Sequence, residues 1–260
     1  MNKSERIQEQ PGEHTAAGAV ELTAKMEPFD SFWEAPENID KGYERFYQFY
    51  RRNYLRHMPA DRNSRILVVS CGPGYFVKTL SRHGYKNILG IDSYEEKVAY
   101  AREKNLNCRV ARVFPFLADK RDSFDAIFCE QELNHLTKDE MVEFLKLIWQ
   151  SLASEGTLIV HGLNGANPIT GSEALSQNFD HYNTFTEYSV RQVLEYSGYK
   201  NISVFPLNLY VFYRNPLNYA AWGASVLLSL FFRTCFILYG KSNKIFTKKI
   251  AAACVKSASG

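Results

Sequence analysis

The sequence predicts an α/β protein: a doubly wound, mostly parallel sheet of seven strands with helices on both faces, in three layers. Two observations predict it. Short apolar runs rich in β-branched residues alternate along the chain with amphipathic segments, the pattern of strands joined by crossover helices. One of those runs, Ile66 to Val69, passes through Ser70 and Cys71 into Gly72, Pro73 and Gly74 just before a helical segment. Glycines at a strand-to-helix junction permit a sharp turn and a close approach of backbone to a ligand.

Residues 1–27 are rich in Glu, Gln, Ala and Gly without periodicity and are expected to form a mobile tail. Over 38–57, Tyr43, Phe46, Tyr47, Tyr50 and Tyr54 recur at helical spacing, giving an amphipathic helix with an aromatic face. That face either packs on the sheet as ordinary core or helps to close a ligand pocket. Strands are expected near 65–70, 87–92, 107–111, 124–130, 156–162, 201–212 and 246–255, and helices near 75–83, 94–104, 137–153 and 186–197. Two helices open on capping boxes, Ser93 with Glu96 and Thr137 with Glu140, and Gly198 closes the last of the four. Residues 28–260 are read as a single domain carrying a long loop at 163–185 and an inserted apolar helix at 216–240.

Composition narrows the function classes. A chain of 260 residues with 45% hydrophobic and 14% aromatic residues has ample material for a core. A net charge of +3 is too small for a nucleic-acid stripe, so no nucleic-acid partner is expected. Five cysteines without a CxxC pair read as structural thiols in a reducing compartment. No apolar leader opens the chain, which predicts a cytoplasmic protein.

The glycine turn has a partner. Eighteen residues past Gly74, Asp92 ends the second apolar run, Ile88 to Ile91. A bare turn followed by an acid at the tip of the next strand holds a nucleoside, with backbone near the ligand and carboxylate on the ribose. The alternative for Asp92 is a charge on a helix dipole. Val77 stands where a pyrophosphate turn needs its third glycine, which disfavours a dinucleotide reductase.

Residues 66–74 resemble the first motif of the class I S-adenosylmethionine-dependent methyltransferases. The resemblance continues through Asp92, Ser123 to Phe128, Leu133 to Leu136 and Leu152 to Val160, in order and spacing over residues 40–165. It implies a Rossmann-like sheet whose last strand is antiparallel, with S-adenosylmethionine as cofactor. It also implies a seat for each part of that molecule: Ser70, Cys71, Gly72 and Gly74 against the methionine, Asp92 with Ser93 on the ribose, Ala111 and Arg112 flanking the adenine, Glu130 and Gln131 toward the methionine end. The departures are Val68 where the family carries an acid, Ser70 in place of its first glycine, and no acid beside the adenine at Val110 to Arg112. Those departures leave a second reading open, a methyltransferase fold that binds without turnover.

Methyl transfer needs placement more than chemistry, plus at most one base. His135, just past the fourth strand, is the leading candidate base, unless it simply packs. His181 is the second, in the 163–185 loop whose Asn, Tyr and Asp suit a polyhydroxylated acceptor; the alternative is an ordinary solvated crossover. The region also looks like the ubiquinone-type O-methyltransferases, whose two glutamates near the matching histidine hold a metal. Here Gln131 and Asn134 take those places and alternation turns Glu132 away, so no metal is expected. The expected reaction is O-methylation of a small or lipid-linked acceptor such as a glycan or glycolipid, or a quinone precursor.

The apolar run from Leu217 to Tyr239 carries one charge, Arg233, and is followed by Lys241, Lys244, Lys248 and Lys249. It is long enough to span a bilayer, but residues 244–255 read as the closing strand of the same sheet. Asn218, Ser225, Ser229 and Arg233 share one stripe, which suits a helix lying in a membrane interface at the inner face of the membrane. A homodimer interface or a lid over the pocket is the other role for such a helix.

Overall fold

The computed structural model describes residues 38–130, 132–176, 179, 181–208 and 216–257. The expected tail at 1–27 lies outside them, as does Gln131. The elements run α1 (Ile39–Asn53), β1 (Arg65–Val69), α2 (Tyr75–Arg82), β2 (Asn87–Asp92), α3 (Glu95–Glu103), β3 (Cys108–Val110), α4 (Val113–Ala118) and β4 (Phe124–Glu130), then α5 (Lys138–Ser151), β5 (Leu152–Leu163), α6 (Gly171–Ser176), α7 (Glu187–Tyr196), β6 (Tyr199–Pro206), α8 (Pro216–Leu238) and β7 (Lys249–Lys256). The sheet order is β3-β2-β1-β4-β5-β7-β6, with β7 antiparallel to both of its neighbours. This is the expected doubly wound, seven-stranded sheet.

Alternation along each strand sends successive side chains to opposite layers. Ile66, Val68, Ala126 and Phe128 face α1, α2 and α3, where they meet Tyr50, Tyr54, Phe76 and Leu80. Leu67, Val69, Ile127 and Cys129 face the other way, onto Phe144, Leu145 and Ile148 of α5 and Leu194 of α7. Strand β1 is buried over Ile66–Val69 because both of its faces are covered.

Thr137 and Glu140 form the predicted capping box of α5, and Gly198 follows the end of α7 at φ +88°. The predicted box at the start of α3 is absent. Tyr94, not Ser93, is the N-cap and has no side-chain cap bond; Asp92 Oδ1 instead accepts from Tyr94 N at 2.9 Å, so the strand-end acid does the capping. The sequence reading placed no helix at α4, which holds Pro115. That proline falls in the first turn, where its missing N–H has no intrahelical partner to lose.

The start of the 163–185 loop is tied down at Asn164 and Asn167. Asn164 Nδ2 donates to Ile245 O at 3.0 Å and Thr247 O at 2.8 Å, and Asn167 Nδ2 donates to Phe246 O at 2.6 Å. Asparagines expected to meet an acceptor therefore pin the segment that leads into β7. The helix α6 lies within the same loop.

Candidate active site

The site forms at the carboxyl edge of the parallel strands, where β1 turns into α2. Ser70 (φ +53°), Gly72 (φ +50°) and Gly74 (φ +83°) are all left-handed, so three of five consecutive residues adopt a conformation that glycine takes without strain. Ser70 costs about 1 kcal/mol more there than a glycine would, and its Oγ donates to Glu132 Oε2. Glu132 thus faces the turn, contrary to the sequence reading. Strand β4 ends at Glu130, and Glu132 opens a 3-10 turn, so strand alternation does not reach it.

Gly74 is fixed from behind as well. A Cβ there would lie 2.9 Å from Leu106 Cδ1 and 3.2 Å from Ala101 Cβ. Gly74→Ala is expected to destabilise the fold by about 1–3 kcal/mol through overpacking and a strained φ. The midpoint of urea unfolding checks it.

Asp92 turns toward Gly72, as the reading requires, yet the two touch. Gly72 N donates to Asp92 Oδ2 at 2.8 Å and Tyr94 N to Oδ1, leaving no nucleoside-sized gap between the turn and the carboxylate. A carboxylate offers about four acceptor sites, of which these bonds use two. The remaining lone pairs and the small exposed fraction of Asp92 (8%) are what a ribose diol would use from above. Ser93 and Arg112 are exposed beside it, and Ala111 N donates to Asp92 O at 2.8 Å.

Helix α1 lies beside this edge with its aromatic face against the sheet. Phe46 stacks on Tyr75 at 5.2 Å and Tyr50 packs on Phe76 at 5.0 Å, as core. Its phenols reach the site. Tyr43 Oη donates to Pro73 O at 2.5 Å within the turn, and Tyr50 Oη donates to Glu130 Oε2 at 2.6 Å.

Glu130 and His161 are direct neighbours across β4 and β5. His161 is buried, with Nδ1 2.5 Å from Tyr54 Oη and Nε2 3.8 Å from Glu130 Oε1. Tyr54 is fully buried, and donating to Nδ1 satisfies its O–H; the hydrogen of His161 then sits on Nε2, aimed at Glu130. Nε2 has no hydrogen-bond partner among the described residues. Burial holds His161 well below the usual histidine range, and the Lys249 charge adds to that effect. Burial also pushes Glu130 up, opposed by Lys249 and by the Tyr50 hydrogen bond. The edge therefore presents a carboxylate with raised proton affinity beside a neutral imidazole whose N–H is unspent.

Sequence reasoning gave His161 no role in the site and found neither phenol's. A histidine ending the apolar run Leu158–Val160 was the available signal; what it faces depends on how α1 crosses the sheet. The two predicted catalytic histidines come together elsewhere on the rim. His135 and His181 lie edge to face with centroids 4.8 Å apart. Asn134 joins their segments: its O accepts from Tyr182 N at 2.8 Å, and its Nδ2 donates to Asn183 O at 2.5 Å. Among the described residues no group of three or more His, Cys, Asp or Glu side chains is placed to hold a metal ion.

Residues 66–156 match the family model described as a methyltransferase domain. No curated protein sequence matches the chain. A S-adenosylmethionine-dependent methyltransferase from Archaeoglobus fulgidus superposes with a TM-score of 0.62 at 14% identity, covering 87% of this chain and 100% of that one. A putative methyltransferase from Haloferax volcanii, solved with the Trm112 methyltransferase activator, gives 0.62 at 16% identity over 89% and 100%. Phosphoethanolamine N-methyltransferase 2 of Haemonchus contortus, in complex with S-adenosyl-L-methionine, gives 0.55 at 14% identity over 89% of this chain and 61% of that one. The chain has the fold of the S-adenosylmethionine-dependent methyltransferases, with the methyltransferase-domain match lying within it.

Proposed function

From a methyltransferase fold and a methyltransferase-domain match over residues 66–156, we propose that this protein transfers the methyl group of S-adenosylmethionine to an oxygen of a small or lipid-linked acceptor, such as a glycan or glycolipid. The observation that carries it is the meeting of two devices on one sheet edge. The bare, left-handed turn with Asp92 suits an adenosyl group, and Glu130 beside His161 suits an acceptor proton.

The residues fit that cofactor. Gly72 and Gly74 offer backbone without Cβ bulk, Ser70 and Cys71 continue that wall, and the spare lone pairs of Asp92 face a ribose. Ser93 extends the ribose side, and Ala111 and Arg112 line the adenine side. When bound, S-adenosylmethionine supplies a methyl group that is already strongly electrophilic, so the chain need only align an acceptor oxygen and take its proton.

Glu130, which the resemblance set toward the methionine end of the cofactor, is instead given that proton. The acceptor O–H would give its hydrogen to the Glu130 carboxylate as its oxygen takes the methyl group. Tyr50 Oη steadies the other carboxylate oxygen. His161 Nε2–H, held in that tautomer by Tyr54 and lying 3.8 Å from Glu130 Oε1, is left to donate to the acceptor oxygen. His135 and His181 border the acceptor from the 134–136 and 181–185 segments.

Incubation with S-adenosylmethionine carrying a deuterated methyl group and fractionated cell-envelope lipids and glycans tests the reading by mass spectrometry. A deuterated methyl ether in one component is expected. A deuterated N-methyl product overturns the oxygen assignment, and cofactor binding without any labelled product favours a fold that binds without turnover.

A further inference from the structure

We propose that α8 seats the catalytic edge of this protein on an anionic lipid bilayer, lying in the plane of the interface rather than crossing it. The proposal goes beyond methyl transfer and does not depend on it.

Helix α8 spans Pro216–Leu238, 23 residues with a mean hydropathy of 1.7 over its most apolar window, and none of its residues is buried. Leu227 is 69% exposed and Leu238 80%. Phe231, Leu230 and Ile237 stand open beside them, and a contiguous apolar face of this size requires a partner.

Topology excludes a span. Pro206 at the end of β6 pairs with Ile250 in β7, so the excursion between them leaves and rejoins the sheet at one place. A helix of 23 residues is about 35 Å long, the thickness of a bilayer core. If it crossed, residues 239–248 would have to return through hydrocarbon with unpaired backbone and three lysines. Instead the chain turns at Gly240 (φ +69°), and Phe246 packs back on Phe232 at 6.2 Å and Phe236 at 4.8 Å.

That packing sets the helix orientation. At 100° per residue, Asn218, Ser225, Ser229 and Arg233 fall on the side of Phe232 and Phe236, toward the body and water. Leu227, Leu230 and Leu238 fall opposite, where a membrane would be.

Charge selects the lipid. Eight lysines and arginines and no aspartate or glutamate follow Glu195 in the sequence. Lys241, Lys244 and Lys248 are exposed directly after α8. A second copy meeting this face by a two-fold axis would bring those lysines near one another, whereas an anionic surface attracts them. The excursion departs from the same sheet edge as Glu130 and His161, since Leu163 at the end of β5 pairs with Lys249. Docking through α8 therefore turns the site toward the membrane, where a lipid-linked acceptor is found.

Vesicle flotation of the full chain tests this. Co-flotation with phosphatidylcholine–phosphatidylglycerol vesicles is expected, with little on phosphatidylcholine alone. Leu227→Asp with Leu230→Asp should abolish it. Replacing Lys241, Lys244 and Lys248 by alanine should weaken partitioning on the order of 100-fold, at about a factor of 5 per basic residue. These positions are exposed, so unchanged thermal unfolding and cofactor calorimetry confirm that the variants fold and keep their site. No flotation, flotation that survives the aspartates, or equal binding to neutral vesicles overturns the proposal. So does a soluble dimer that the aspartates dissociate.

Discussion

Glu130→Gln is expected to lower kcat by about 10²–10⁴-fold, the loss that follows removal of a positioned general base. The amide keeps the shape and accepts from Tyr50 but takes no proton from the acceptor. Affinity for S-adenosylmethionine should change little, since Asp92 and the glycine turn are untouched. The pH profile is the sharper readout. Burial raises the Glu130 carboxyl above the ordinary glutamate range, and the base works only when ionised. Wild-type turnover should therefore fall as pH drops through that raised value, and the variant should lose this limb. Stability moves the opposite way. A carboxyl whose folded value is raised contributes stability that is fully present below its unfolded value, about 4.3, and is lost as pH rises through the folded value. The uncharged amide escapes that loss, so Glu130→Gln should melt higher than wild type at mildly alkaline pH while turning over far more slowly. An undiminished kcat would move the base to His135 or His181.

Asp92→Ala is expected to weaken S-adenosylmethionine binding on the order of 100-fold, from loss of two charge-assisted bonds to the ribose at about 1.5 kcal/mol each. Isothermal calorimetry measures it. The same carboxylate also pairs Gly72 N and Tyr94 N, so the variant should lose stability as well. Asp92→Asn separates the two effects. An amide oxygen can still accept from one of these N–H groups, and most of the stability should return without the charge-assisted part of the ribose bond. If affinity recovers fully with asparagine, Asp92 serves only to hold the turn, and the ribose assignment fails.

His161 works in the opposite pH sense. Its folded value is depressed by burial, so the contribution it makes is present above the unfolded histidine value, about 6.5, and is lost as pH falls. His57, pushed down to about 4 by burial and by Arg56, adds to the same acid sensitivity.

Much of the protein was legible in its residues. The apolar runs placed the five parallel strands to within four residues at each end because both faces of a parallel sheet are covered, leaving little room for polar side chains. The turn at Ser70–Gly74 and the acid at Asp92 were legible because a left-handed backbone and a strand-tip carboxylate are local requirements. The Thr137–Glu140 cap was visible for the same reason, while Ser93 was misjudged because the helix begins one residue later, with Tyr94 at its N-cap.

What the tertiary structure alone decided is long-range. Glu130, His161, Tyr54 and Tyr50 lie as much as 111 positions apart in the chain and become neighbours only through strand order and the crossing of α1. Glu132 was assigned to the wrong face because strand alternation was carried past the end of β4 into a 3-10 turn. Asn164 and Asn167 of the 163–185 loop looked like a ligand's partners, yet they satisfy the backbone at 245–247, whose proximity depends on how β7 inserts beside β5. Local propensity and periodicity are written in neighbouring residues, so sequence determined the elements and the glycine turn. Which buried polar groups meet is set by the packing of distant segments, and only the folded chain determined that.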